Sequence, residues 1–600
     1  MLQSLHDKLG LRTSPVIFFG SIALTAAFII LTLAFPTTMA STFATGADWI
    51  IENLGWFYIL GVTVFLIYLV VTALSRFGRI RLSPRDEPPE HKFLVWFSML
   101  FAAGIGSILM FWGVAEPVNH FANPPMADVK PQSDDAAREA ISFTLYHFGL
   151  HTWTIFTLPS LAFAYFMYQR NLPPRVSSLF HPLLGDKGIH GPVGKAIDIV
   201  SIVGTLFGVA LTIALGTLQI NAGLARVFGI DQSALSIALI IGGVTLMALA
   251  SVMAGLDKGI KMLSNANILA AVLLMVFIVI SGPTLYLLKG AVESVGLYAQ
   301  RLPYLAFWND AFGDNPGWQQ SWTIFYWAWT ITWSPFVGIF IARISRGRTI
   351  REFVFGVLAA PVTFSVVWFG IFGFASFDII GGKDGGKLVT SVLEQGPEVA
   401  LFEFLDHFPL ASVVSVLAVV IVVLFFVTSM DSASLVMDYM ARGHDEDDRS
   451  PVLQRALWAV ATGVVAVVLL TYNPDPDSDV IAALQDIITI VGLPFFVMGY
   501  LMMWALNRAM REDAGELLPL ATKRWRKVLP PEEAERRRQE GDEEAWDTTE
   551  VEHDPHYTTE DGSTIAAPET AAYVATDLRD ADGNEAFTTE DQQVEGAHRI

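Results

Sequence analysis

The 600 residues contain no cysteine, which excludes disulfides and thiolate metal sites and leaves the compartment open. Charge is scarce as well: Asp, Glu, Lys and Arg make up 16% of the chain, against about 25% in soluble domains. A chain so poor in charge is not built to face water on every side. No phosphate-cradling glycine loop occurs, so nucleotide hydrolysis does not drive this protein. Neither a nucleophile elbow nor a zinc-binding motif is present, and the chain is not read as an enzyme. A cleavable signal peptide is also missing. The first apolar run, Val16 to Phe35, is too long for one and lacks a small-residue cleavage site, so it reads as a first membrane span.

What the chain has instead is apolar sequence: 53% of its residues are hydrophobic and 12% aromatic. Many runs reach roughly 20 residues, the length that carries a helix across about 30 Å of hydrocarbon. The pattern predicts an all-α membrane protein with twelve transmembrane helices, at 16–36, 55–75, 93–114, 139–168, 193–222, 233–255, 262–288, 319–343, 352–375, 409–438, 453–472 and 482–507. Basic residues cluster after the second span (Arg76, Arg79, Arg81, Arg85, Lys92), after the eighth (Arg343, Arg346, Arg348, Arg351) and after the twelfth (Lys523, Arg524, Arg526, Lys527). With alternating helices these all fall on one side, the cytoplasmic side, and an even count of spans puts both termini there.

The net charge of −21 is concentrated: residues 540–600 hold 18 acidic against 2 basic residues and account for 16 of it. Such a segment is too polar to bury a core and is expected to be a disordered tail. The predicted organisation is therefore a cytoplasmic N-terminus (1–15), two additional spans and a cytoplasmic loop (16–92), and a first set of five spans (93–288). An amphipathic helix on the outer face follows within 289–318, then a second set of five spans (319–508), a basic segment (509–539) and the acidic tail.

Two spans carry helix breakers. The third contains Gly104 and Gly106 and ends in Glu116-Pro117; the eighth contains Ser334-Pro335. Broken backbone survives in hydrocarbon only where it lines protein or a wet cavity. Two breaks in corresponding places, five helices apart, predict inverted five-helix repeats (spans 3–7 and 8–12) around a midplane binding site, as in secondary transporters.

Several side chains stand out. Trp329 and Trp333 are one turn apart on the eighth span, and Trp333 is too deep for a headgroup belt. Two readings stand for them: packing between helices, or a cage for an organic cation, with Phe148, Trp153 and Phe156 of the fourth span as opposite walls. Thr428 and Ser429 place hydroxyls in an apolar run, where they bond to their own helix or ligate an ion. Glu116 reads as a gate or as an interfacial carboxylate. His147 and His151 lie one turn apart with no carboxylate or third ligand near in sequence, so no transition metal is expected.

Five stretches, "FAAGIG" (101–106), "MFWGVAEP" (110–117), "GTLFGVALTIALGTLQINAGL" (204–224), "WAWTITWSPFVGIFIARISRGRTIREF" (327–353) and "FFVTSMDSASLVM" (425–437), resemble the signatures of the betaine/choline/carnitine transporter family, in that family's order. The resemblance covers the membrane part and leaves out the acidic tail. It implies a leucine-transporter-like fold, a homotrimer in the plasma membrane, no cofactor and Na+ as coupling ion. The implied cargo is a small quaternary ammonium or zwitterionic solute of the glycine betaine kind; choline or carnitine carriage, exchange, or a transport-inactive sensor are alternatives. Nucleic acid is not a partner; anionic lipids are expected to meet the basic segment, and osmotic regulation is expected of the C-terminal region.

Carried over by residue, the resemblance makes Phe148, Trp153, Phe156, Trp329, Thr330 and Trp333 the substrate box. At the positions of Phe148, Phe156 and Thr330 betaine carriers place Trp, Tyr and Trp, so this box is thinner and suits ectoine or a proline-type solute. A sodium site is implied at Ala102, Ile105, Phe425, Thr428 and Ser429. A second one is weakened, because Thr205 has Val209 where the family has another threonine. Ile108 replaces the aspartate of proton-linked choline carriers, which favours sodium.

Overall fold

The structure is a computed structural model, and it describes residues 6, 8–84, 87–101, 106–254, 257–313, 315, 317–382, 385–442, 451–471, 480–517, 556–558 and 564–566. Apolar runs become helices because a buried amide has no cheaper partner than its own chain. The principal ones are α1 Pro15–Ala34, α2 Pro36–Leu74, α3 Phe93–Phe101, α4 Gly106–Ala122, α5 Asp134–Phe148, α6 Leu150–Tyr168, α7 Pro192–Phe228 and α8 Ala234–Ala254. They continue as α9 Asp257–Ser281, α10 Thr284–Leu305, α11 Phe325–Thr332, α12 Ser334–Ile344, α13 Ile350–Gly381, α14 Ala411–Ala441, α15 Val452–Thr471 and α16 Val480–Asp513. A helix, whole or interrupted, occupies each stretch read as a span. Among the described residues eight helices are long and apolar enough to cross a bilayer, or nine if the bent pair 320–332 and 334–344 is one span.

Local chemistry sets the boundaries. Prolines open α1, α2 and α7, where the missing N–H has no helical partner to lose. Gly229, at φ 68°, ends α7 in a left-handed turn. Thr349 and Glu352 form a reciprocal capping box at the start of α13.

The two basic loops predicted to share a side are joined by backbone hydrogen bonds: Leu82 N–H donates to Arg348 O (2.8 Å), Gly347 N–H to Leu82 O (2.8 Å) and Ile350 N–H to Ile80 O (2.9 Å). Arg81 adds a bond from Nη1 to Gly347 O (3.0 Å). The loops after the second and eighth stretches thus lie at one end of the bundle.

Among the described residues two stretches are interrupted, one of them not foreseen from the sequence. In the third, α3 and α4 flank residues 102–105, which lie outside the described residues. The eighth opens with a π turn (Gln320–Ile324), continues as α11 and bends by 55° at Trp333 into α12. The additional break is in the fourth, where Gly149 (φ −100°, ψ −133°) separates α5 from α6. Its cause is a contact that local sequence does not encode: the Tyr298 hydroxyl from α10 accepts the freed Leu150 N–H (2.8 Å), and a Cβ at position 149 would sit 2.6 Å from that oxygen. The freed His147 carbonyl is bonded by the Thr152 hydroxyl. The stretch read as an amphipathic helix at 290–307 is the C-terminal part of α10, which begins earlier, at Thr284.

The described residues from Trp504 onward, with His181–Lys187, belong to a unit separate from the rest. Within it Arg508 pairs with Glu512 (2.7 Å) and Arg511 with Glu516 (3.1 Å). Two short antiparallel strands, His556–Thr558 and Thr564–Ala566, are described in the acidic segment; the remainder of that tail and the basic stretch 522–539 lie outside the described residues.

Candidate binding site

The six predicted box residues are all buried: Phe148, Trp153, Phe156, Trp329, Thr330 and Trp333 are each less than 8% exposed. For Trp333 this rules out a lipid-facing position. It stands at the bend of the eighth stretch, with its ring on that of Phe336 (5.6 Å between centroids). Gly208 of α7 admits it: a Cβ there would lie 3.0 Å from Trp333 Cδ1 and 2.1 Å from Thr332 Oγ1. One turn before the bend, Trp329 Nε1 donates to Thr212 Oγ1 (3.0 Å), four residues beyond Gly208 on α7. A glycine and a threonine one turn apart on α7 therefore seat two indoles. The indole N–H of Trp333 is buried and has no hydrogen-bond partner among the described residues.

Spacing alone could not join the fourth and eighth stretches; the tertiary structure does. Phe148 stands edge-on to Tyr326 (5.0 Å), which stacks on Trp329 (6.3 Å), so these three form a continuous wall. Phe148 also stacks on Phe369 (4.7 Å). Further along, Gly338 of α12 rests on Phe163 of α6, where a Cβ would meet Cδ2 at 3.0 Å. Trp153 and Phe156 pair with each other (5.5 Å), and among the described residues their rings do not pair with Trp329 or Trp333.

Of the predicted sodium ligands, Ala102 and Ile105 lie outside the described residues. Phe425, Thr428 and Ser429 share one stretch of α14 and are half-buried. The Thr428 hydroxyl donates to Leu424 O and Phe425 O (3.0 Å each), which matches the reading of a back-bonded hydroxyl and leaves its lone pairs available. Gly106 opens α4 directly beneath the Phe425 ring: a Cβ there would overlap Cε1 at 1.8 Å. The glycine end of the third stretch and the hydroxyl motif of the tenth are therefore neighbours. At the second predicted site, Thr205 Oγ1 is buried with no partner among the described residues, and Val209, one turn on, is buried too.

Sequence reasoning missed two participants and misplaced a third. Tyr326 is the hub of the aromatic wall; its place one turn before Trp329 was the available signal. Asn267 of α9, with its amide oriented by its hydrogen bonds, donates to Ile421 O (3.2 Å) and accepts from Phe425 N–H (3.0 Å), tying α9 to the hydroxyl motif. No local pattern marks it. The third is Glu116. It is not interfacial but fully buried, and its Oε2 accepts from the Tyr326 hydroxyl (2.6 Å) while Oε1 lies 2.7 Å from His147 Nδ1 and 3.3 Å from His120 Nε2. The expectation that His147 lacks a nearby carboxylate and third ligand is thus corrected: both come from α4, 27 to 31 residues away, which sequence proximity does not show.

Nearby, a cavity of about 780 Å³ is lined by Asn119, Asn123, Trp318, Trp322, Gln485 and Asp486, among others. Trp318 and Trp322 also touch the His120 ring, at 5.2 and 4.4 Å.

Comparison with known proteins agrees with this architecture. The family described as BCCT, betaine/carnitine/choline family transporter, matches residues 16–515. The ectoine/glycine betaine/proline transporter EctP of Corynebacterium glutamicum is 49% identical over 529 residues, 88% of this chain and 85% of its own length. A glycine betaine transporter of Acinetobacter baylyi is 40% identical over 505 residues (84% and 74%), and the high-affinity choline transport protein of Escherichia coli K12 is 37% identical over 510 residues (85% and 74%). With a family match spanning the helices, the bend at Trp333 and the hydroxyl motif, this chain belongs to the betaine/carnitine/choline family of transporters, multi-pass membrane carriers and not enzymes.

Proposed function

We propose that this carrier imports ectoine, glycine betaine and related zwitterionic compatible solutes by sodium symport. The observation that carries the reading is the buried bend at Trp333, whose indole N–H is unpartnered among the described residues, one helical turn past Trp329 and the Tyr326 wall. A quaternary ammonium has no N–H donor and is best held by aromatic faces, while the N–H groups of ectoine or proline can also donate to a hydroxyl. The carboxylate of the same solute is an acceptor for the indole N–H, which is costly to leave unmade when buried. The activities for which the relatives are named, ectoine, glycine betaine and proline carriage for one of them, agree with this chemistry.

Thr330 tunes the choice among solutes. It is buried between Trp329 and Trp333 in sequence and adds a hydroxyl where a ring would strengthen the cage. Thr330→Trp is expected to raise affinity for glycine betaine relative to ectoine by roughly 2- to 30-fold, one added cation–π contact of about 0.5–2 kcal/mol. Competition between the two solutes in uptake assays measures this, and an unchanged ratio would remove Thr330 from the box.

Coupling rests on the contact between Gly106 and Phe425 with Thr428 and Ser429 one turn on. Main-chain carbonyls and two hydroxyls form an oxygen set that suits a small hard cation without a formal charge. Val209 deprives the Thr205 site of an oxygen, so one sodium site is expected to dominate. Uptake into proteoliposomes should vanish when potassium replaces sodium, and Thr428→Ala should raise the sodium concentration needed for half-maximal uptake. Sodium-independent uptake would sink the proposal.

The remaining features of this reading are twelve spans in inverted five-helix repeats (spans 3–7 and 8–12), both termini cytoplasmic, and a homotrimer. The basic segment after the last span would meet anionic lipid at about 1 kcal/mol per Lys or Arg, weakened by salt. That salt dependence would let the C-terminal region report osmotic stress.

A further inference from the structure

The cluster around Glu116 goes beyond substrate and sodium. Glu116 and His120 are one turn apart on α4 and project to the same side. His147 reaches them from the last turn of α5, immediately before the break at Gly149. Glu116 Oε1, His120 Nε2 and His147 Nδ1 lie within 4.8 Å of one another, and all three side chains are fully buried. We propose that these three residues form a binding site for a divalent transition metal of the zinc kind, whose occupancy arrests transport.

The donor set selects the ion. Two imidazoles and one carboxylate suit zinc and its neighbours, while magnesium and calcium prefer all-oxygen shells. Two histidines and a glutamate are a recurrent three-ligand zinc set that leaves a fourth position for water. Bonds of about 2.0–2.2 Å from each ligand to the ion ask that atoms now within 4.8 Å of one another settle about 3.4 Å apart, the Glu116–His147 contact opening from 2.7 Å. The ion would take the place of the hydrogen bond now between Glu116 and His147.

A second observation argues against an accidental cluster: the outer partners are already in place. Ligating histidines ordinarily donate their second ring N–H to an oxygen, and ligating carboxylates are themselves hydrogen-bonded. Here His147 Nε2 faces Thr323 Oγ1 at 3.0 Å, and Glu116 Oε2 accepts from Tyr326 at 2.6 Å. His120 Nδ1 is buried without a partner among the described residues, so the cluster is not saturated by protein alone. Trp318 and Trp322 separate His120 from the 780 Å³ cavity and give the ion its way in when those rings move.

The consequence follows from which elements are tied. An ion at this point clamps α4 to the end of α5, and through Thr323 and Tyr326 it also holds the π turn and α11. The third, fourth and eighth stretches would be fixed in one arrangement, which a carrier that alternates between arrangements cannot tolerate.

Cobalt(II) is the probe, because four-coordinate cobalt absorbs intensely in the visible. The purified full-length protein in detergent is expected to bind one equivalent of Co2+ with such bands, displaced by Zn2+. His120→Gln should weaken binding at least tenfold, and Thr323→Val roughly 10- to 100-fold, as loss of an outer partner does. Absence of the bands, or bands unchanged in both variants, overturns the site. His147→Gln is a further check, but the conclusion does not hang on that variant folding. Because this readout needs no transport, it stands apart from the choice of solute and coupling ion. Zinc should also slow uptake by the parent protein tenfold or more and have a much smaller effect on His120→Gln; binding without inhibition would overturn the arrest.

Discussion

Trp333→Ala is expected to lower apparent affinity for glycine betaine or ectoine by about 100-fold while the protein still reaches the membrane. A desolvated cation–π contact contributes up to about 2 kcal/mol, and a hydrogen bond from the indole N–H to a carboxylate about 1 kcal/mol or more. Together they correspond to roughly two decades in affinity. Trp333→Phe separates the two contributions: it keeps an aromatic face and loses the donor, so about a fivefold loss is expected. Concentration-dependent uptake with surface expression as a control measures both. If Trp333→Ala transports with parental affinity, the bend does not hold the solute and the proposed site must lie elsewhere.

The second large effect concerns stability. Glu116→Ala is expected to destabilise the protein by several kcal/mol, since it strands the Tyr326 hydroxyl and His147 Nδ1 in a site with no water-exposed surface. Each buried polar group left without a partner costs about 1–3 kcal/mol. Glu116→Gln keeps the shape and one acceptor oxygen but turns an amide N–H₂ toward a donor, so an intermediate loss is expected. The thermal midpoint of the detergent-solubilised protein, followed by monodispersity, checks the order parent, Glu116→Gln, Glu116→Ala. A Glu116→Ala protein as stable as the parent would mean that the hub is not bonded as described.

The stability prediction and the affinity prediction converge on Tyr326, which touches both sites. Its ring extends the Trp329 wall and its hydroxyl holds Glu116. A rearrangement of the eighth stretch at Trp333 therefore has a direct mechanical connection to α4 and α5. Coupling of this kind is what a carrier needs if solute binding is to change which side is open.

Much of this was legible without coordinates. Apolar run length located the helical stretches, because a helix in hydrocarbon must satisfy its own backbone and so must be long and continuous. The breaker Pro335 marked the bend of the eighth stretch, since proline acts on the backbone at the position where it occurs. The pairing of basic loops was likewise inferable, because the asymmetry of Lys and Arg is a property of composition, and the bonds between Leu82, Gly347 and Arg348 bear it out.

What the sequence could not contain is distance between residues far apart in the chain. Gly149 is an unremarkable glycine until Tyr298, 148 residues from Leu150, supplies the partner that makes a break affordable. His147 looked isolated because its carboxylate is 31 residues away on another helix. That α7 offers Gly208 and Thr212 to receive Trp333 and Trp329 was equally invisible in the local sequence. Backbone satisfaction and helix length are local and were fixed by the chain itself. Side-chain convergence depends on how helices cross, and only the folded arrangement decided which buried polar groups would meet.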